Sequence, residues 1–202
     1  KEVPNEEKKE FGMKLNEVRT LFNSKYEEIK NRLEKEEILK KMNRYDNEEE
    51  RNSIADKLTI ATVKYADLSP YRTTDYIFDL EKFCSFEGKT GPYILYSMVR
   101  IKSILDKADM NELTIKGIYS DTQRDIYIKV LELSKIIKKA YNEKTLSYIC
   151  EYLYDLCSLF NKFYSECNIL NEQDVDKKQS YLALLNLIYN VSEKLLDILV
   201  IE

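Results

Sequence analysis

Hydrophobic positions recur at helical spacing along most of the chain. From Lys14 onward Leu15, Val18, Phe22, Ile29 and Leu33 fall on one stripe, among Glu and Lys three and four residues apart. This spacing predicts a long amphipathic helix with a charged outer face. It ends near Asp46-Asn47, natural N-caps for a second helix whose first turn holds Glu48, Glu49 and Glu50, where the helix dipole favours negative charge. The second helix carries Ile54, Leu58, Ala61, Tyr65 and Leu68 on one side and must stop before Pro70, which disfavours helix at Ser69. Residues 1–12, with Pro4, Gly12 and a mixed charge run from Glu6 to Glu10, read as a solvated arm.

A loop follows, in which Thr73 to Phe78 is briefly extended and Asp79 caps a short helix through Phe86. Beyond Gly88 the character changes. Thr90 can cap a helix with Pro92 in its first turn and Ile94, Met98, Ile101 and Leu105 as its core stripe. After a looser piece from 109 to 119, Asp121 begins a helix with Ile126, Val130, Leu133 and Ile137 inside. Leu146, Ile149, Cys150, Leu153, Leu156, Cys157, Phe160 and Phe163 then mark the central helix of a bundle, and Leu184, Ile188, Val191, Leu195 and Ile198 mark the last. The expected class is all-α: an amphipathic helical bundle over 89–202, preceded by a smaller helical connecting region over 1–88. About four helices are expected after residue 90, consecutive ones largely antiparallel.

Composition narrows the function classes. Four glycines and three prolines in 202 residues leave few turns and favour long helices. A formal net charge of -4 argues against a general polyanion binder, DNA included, so any RNA site must be local. There is no histidine, and Cys84, Cys150, Cys157 and Cys167 lack paired spacing, so no metal site is expected. Cys150 and Cys157, seven apart, read as small buried apolar groups. The longest apolar stretch, Tyr181 to Val191, is broken by Asn186 and Asn190, so no membrane partner is expected and the localisation predicted is cytoplasmic. With no histidine, no Gly-rich phosphate loop and no nucleophile beside a base, no catalytic residue is expected in this chain.

The strongest binding signal lies on the helix that begins near Pro92. Tyr93, Tyr96 and Arg100 are three and four residues apart and share a face about 140° from the Ile94, Met98, Ile101 and Leu105 stripe. They are predicted to be exposed together. Aromatic rings stack on unpaired bases and a guanidinium reads phosphates or base edges, which is the chemistry of single-stranded RNA recognition. In a chain with 16 tyrosines the same rings could instead border the core or a neighbouring domain, as in a helical protein-interaction or scaffold module. Arg72, Asp75 and Tyr76 are assigned to a polar network that holds two helical layers together.

Several spaced blocks share one resemblance. Val63 to Ser69, Arg72 to Asp79, Phe86-Glu87-Gly88, Pro92-Tyr93 with Arg100, then Tyr152 to Leu156, Phe163-Tyr164 with Cys167 and the closing Leu182 to Glu202 resemble, in order, the C-terminal portion of arginyl-tRNA synthetase. The resemblance covers residues from about 54 to 202. It implies a class I synthetase anticodon-binding fold, with arginine tRNA and the parent protein's catalytic domain as partners. It also implies that ATP is used by the parent enzyme, with no cofactor in this fragment, which alone should be inactive. Tyr93, Arg100 and Tyr164 match anticodon-pocket positions of the family, and Tyr96 is added from helix geometry. The chain departs from the family pattern at Leu80 to Cys84, at Lys89-Thr90-Gly91, where Asn-Thr-Ala is common, and at Val200, where Gly is expected; it also stops short of the family's terminal Met.

Overall fold

The second helix ends where Ser69-Pro70 requires: in the computed structural model, which describes residues 19–32, 48–108 and 113–201, helical hydrogen bonding stops after Leu68. The chain divides into two compact units, Lys1–Thr59 and Ile60–Glu202. The predicted N-terminal arm, the start of the first helix, its continuation past 32 and the Asp46-Asn47 cap lie outside the described residues.

In the first unit, residues 19–32 form helix α1, and Glu48–Leu68 form α2, which runs on into the second. Ile29 of α1 is buried, whereas Phe22, expected on the same stripe, is 54% exposed beside Leu21. Tyr26 and Lys30, four apart on α1, both reach Asp56 of α2: the hydroxyl donates to Oδ1 at 2.9 Å and the ammonium lies 2.7 Å from it.

In the second unit, Asp79 caps a single-turn helix α3, Leu80–Phe83, by accepting the Lys82 N–H at 3.1 Å. Next comes α4, Gly91–Lys107, capped by Thr90 with Pro92 in its first turn. It is followed by α5 (Asp121–Leu131), α6 (Leu133–Glu143), α7 (Ser147–Glu166) and α8 (Val175–Leu199). Among the described residues five helices therefore follow residue 90, where about four were expected. The helix that begins at Asp121 breaks at Glu132, and past the break Ile136 and Ala140 turn inward while Ile137 stays 38% exposed. No Gly or Pro marks that break in the sequence.

Helix α7 is the centre of the bundle, with Ile149, Cys150, Tyr152, Leu153, Leu156, Cys157, Phe160 and Phe163 all buried. Contacts of Thr122 with Glu166 and of Lys129 with Asp155 show α5 running antiparallel to α7, and the Phe163–Tyr181 ring pair joins the end of α7 to the start of α8. By contrast, α4 runs parallel to α7, as Lys89–Glu151, Tyr93–Ser158 and Arg100–Asn161 advance together. The bundle is joined to the end of α2 by Tyr65, whose hydroxyl donates to the Cys150 carbonyl at 2.8 Å. Burial raises the Tyr65 phenol well above its usual range.

Candidate nucleic-acid interface

The placement of α4 decides the site. The Thr90 hydroxyl accepts the Tyr93 N–H at 3.2 Å and donates to the Ser85 carbonyl at 2.5 Å, fixing the first turn. Gly91 then lets the helix approach α2 very closely, since a Cβ there would meet the Ala61 carbonyl oxygen at 2.4 Å. From that anchor α4 lies along α7, and its Tyr93, Tyr96 and Arg100 face the α7 positions Tyr154, Ser158, Asn161 and Tyr164.

Arg100 is the focus. Its guanidinium lies between two aromatic rings, 4.7 Å from the Tyr96 centroid and 5.1 Å from that of Tyr164. It donates from Nη2 to the Tyr96 hydroxyl at 3.0 Å and from Nη1 to Asn161 Oδ1 at 2.9 Å. A guanidinium has about five N–H donors in a fixed fork, so the other donors remain for a ligand. Tyr96 is steadied from behind by the edge of Phe86 at 6.1 Å, and Tyr164 by Phe160 at 6.1 Å.

Tyr93 joins the cluster through Asn161, whose Nδ2 donates to the Tyr93 hydroxyl at 2.9 Å and to Ser97 Oγ at 3.0 Å. Ser158 Oγ lies 3.3 Å from the same hydroxyl, and Tyr154 packs on the ring at 5.6 Å. The structure thus brings all four predicted residues into one cluster, but Tyr93, Tyr96 and Arg100 are half-buried, not exposed together. The reason is Ser97 and Ile104, both buried and both absent from the predicted stripe. Including them turns the buried centre of α4 by about 25° toward Tyr93 and Arg100. Tyr164, 43% exposed, offers the most open ring of the four.

Asn161 was not anticipated. Its signal in the sequence was weak: it stands three residues after Ser158 and seven after Tyr154, on the α7 face that meets α4. Beside Tyr164 a groove of about 510 Å³, whose lining includes Ile104, Glu166, Cys167, Asn168, Ile169 and Asn171, opens at the end of α7. Grooves of roughly 300 to 1,000 Å³ are typical of ligand sites.

Other expectations fare differently. Tyr76 reaches Asp67 at 3.4 Å and the edge of Phe83 at 6.0 Å, but Arg72 and Asp75 are exposed and join no network among the described residues. Cys150 and Cys157 are buried, and desolvation pushes both thiols up to about 12. No helix among the described residues is long and apolar enough to cross a membrane.

Comparison with known proteins bears on this cluster directly. The family described as the DALR anticodon binding domain matches residues 94–202, more than half of the sequence and including Tyr96, Arg100, Asn161 and Tyr164. The chain belongs to this anticodon-binding family. A second family, the aminoacyl tRNA synthetase class II N-terminal domain, matches residues 1–42. Among curated relatives, the arginine–tRNA ligase of Alkaliphilus oremlandii is 41% identical over 155 residues, covering 75% of this chain and 26% of that protein. The arginine–tRNA ligase of Agathobacter rectalis is 40% identical over 172 residues, covering 82% and 29%. The chain therefore spans between a quarter and a third of the length of these relatives. In fold, it superposes on the arginyl-tRNA synthetase of Thermus thermophilus with a TM-score of 0.79 at 21% identity, over 88% of this chain and 30% of that one. The Plasmodium falciparum arginyl-tRNA synthetase gives 0.75 at 24% identity, over 87% and 32%. The resemblance to arginyl-tRNA synthetase carried by the sequence motifs holds, and the anticodon-binding DALR fold is all-α, as expected.

Proposed function

We propose that this chain is the tRNA-binding C-terminal portion of an arginine–tRNA ligase, and that it recognises the anticodon stem-loop of arginine tRNA. The observation that carries this reading is the Arg100 guanidinium held between the Tyr96 and Tyr164 rings within the segment that matches the anticodon-binding family. Tyr164, with an open ring, stacks on an unpaired base. Arg100 takes a phosphate or a base edge with its free donors, and the Asn168 and Asn171 groove accepts the splayed nucleotide. Tyr93 and Tyr96 form the wall that orients Arg100. Arginine anticodons share cytosine at the middle position, so one pocket can serve all of them.

Activation of arginine with ATP belongs, in this reading, to the catalytic domain of a larger cytoplasmic protein, and residues up to about 88 connect that domain to the bundle. An electrophoretic shift with arginine tRNA against an unrelated tRNA tests the proposal. Preferential retardation of arginine tRNA is expected. Equal affinity for both, or none for either, would overturn it in favour of a protein-interaction module.

A further inference from the structure

We propose that Asn161 is the positioning residue of this site: its neutral amide fixes the Arg100 guanidinium without neutralising it, and so reserves the positive charge for an anionic group of the RNA. The inference rests on the tRNA-binding reading above and adds a residue that need not touch the ligand.

The donor and acceptor count leaves little freedom. A guanidinium has no acceptor, so the amide atom facing Arg100 Nη1 at 2.9 Å must be the carbonyl oxygen. The two hydrogens of Nδ2 then go to the Tyr93 hydroxyl at 2.9 Å and Ser97 Oγ at 3.0 Å. Every polar atom of the amide is engaged, and Tyr93 and Arg100 are held in one register by a single side chain.

Hydrogen bonding alone does not require an amide. A carboxylate at the same position could accept from Arg100 as a stronger, charge-assisted pair, and the Tyr93 and Ser97 hydroxyls could turn to donate to it. What a carboxylate would remove is the free charge. The rest of α7 makes the contrast plain, because each acid on that helix faces a lysine: Glu151 faces Lys89 at 3.0 Å, Asp155 faces Lys129 at 2.6 Å and Glu166 faces Lys162 at 3.9 Å. Where α7 meets the arginine flanked by two tyrosines, it presents an amide.

The test compares the 202-residue chain with its Asn161→Asp variant, in urea unfolding and in binding of a labelled arginine-tRNA transcript from about 50 to 200 mM salt. The variant is expected to unfold at or above the wild-type midpoint, to bind at least tenfold more weakly at low salt, and to lose about 0.7 from the log–log salt slope, the contribution of one single-strand phosphate contact. A folded variant with wild-type affinity, or with a loss that leaves the slope unchanged, overturns the inference. Should Asn161→Asp fail to fold, Asn161→Ser carries the test: it frees Arg100 without pairing it, so affinity should fall while the slope stays, and unchanged affinity overturns the proposal. If the wild-type chain itself does not bind the transcript, the functional reading falls and this inference with it; if wild type and Asn161→Asp bind alike, only the inference falls.

Discussion

Tyr164→Ala and Tyr93→Ala should separate binding from folding. The Tyr164 ring is 43% exposed, packs tilted on Phe160 and lies beside Arg100 at 5.1 Å, so its removal takes away the proposed base platform and little buried area. The expected loss is about 1 to 3 kcal/mol of binding from one base stack, roughly 5- to 150-fold in Kd. Folding stability should fall by no more than about 1 kcal/mol, the worth of a cation–π contact at an exposed site. Tyr93 behaves differently. Its half-buried ring lies against Tyr154, and its hydroxyl is held by Asn161 and lies 3.3 Å from Ser158. A fully buried aromatic truncated to alanine costs about 3 to 5 kcal/mol. Half of that, plus about 1 kcal/mol for the hydrogen bonding, gives a stability loss near 3 kcal/mol. Urea unfolding measures the second quantity, and anisotropy of a labelled arginine anticodon stem-loop at low salt measures the first. If Tyr164→Ala bound within twofold of wild type, the ring would not be a base platform. If Tyr93→Ala lost binding without losing stability, the assignment of Tyr93 to the supporting wall would be wrong.

Val200 adopts a left-handed conformation, φ 57°, at the end of α8 and is 60% exposed, so Val200→Gly should relieve a Cβ clash of about 1 to 2 kcal/mol at a smaller cost in chain entropy. A net gain near 1 kcal/mol would raise Tm by about 2 to 4 °C in calorimetry. Gly91→Ala should lower stability by about 1 to 3 kcal/mol, because its Cβ would meet the Ala61 and Thr62 backbone and α2 would have to move; an unchanged Tm would show that this approach is loose. The buried Cys150 and Cys157 thiols, each pushed up to about 12, stay protonated in the fold while the unfolded chain ionises near pH 9. Stability should therefore be full below about pH 9 and fall above it, by roughly 1.4 kcal/mol per pH unit per thiol, until the folded groups also ionise. Cys150→Ala should flatten that decline, and a profile identical to wild type would refute the assignment. Incubated alone with ATP, arginine and labelled pyrophosphate, the chain should show no arginine-dependent exchange.

Much of the fold could be read from spacing because the informative signals are local. Ser69-Pro70, Asp79 and Thr90 each act through the nearest backbone, and each ends or begins a helix as expected. The Glu132 break was not legible, since no residue there is a breaker and the change of direction serves contacts made by Ile136 and Ala140 far along the chain. At the site, Tyr93, Tyr96, Arg100 and Tyr164 could be named from helical geometry and family motifs, but their exposure could not. A stripe drawn from apolar residues alone misses a buried serine, and Ser97 is satisfied when buried because its hydroxyl donates to the Tyr93 carbonyl at 3.0 Å and accepts from Asn161 on another helix. Asn161 itself looked like any polar helix residue. Its role depends on three partners that the parallel packing of α4 on α7 brings within reach, and consecutive antiparallel helices would not have suggested that packing.

Charge gives the last link between composition and site. A chain of net charge -4 repels a polyanion at long range, so tRNA contact has to rest on local cations whose fields are not cancelled by neighbouring acids. Ion pairs at this surface add little to stability, commonly no more than about 1 kcal/mol. Their effect on the local field is larger in consequence. Of the three acids of α7, Glu151 is paired with Lys89 beside the start of α4, Asp155 and Glu166 lie on the side that meets α5, and the amide of Asn161 adds no charge beside Arg100. In the proposed interface Arg100 would therefore meet an approaching phosphate with its charge intact and its fork already oriented, without the chain needing an excess of basic residues.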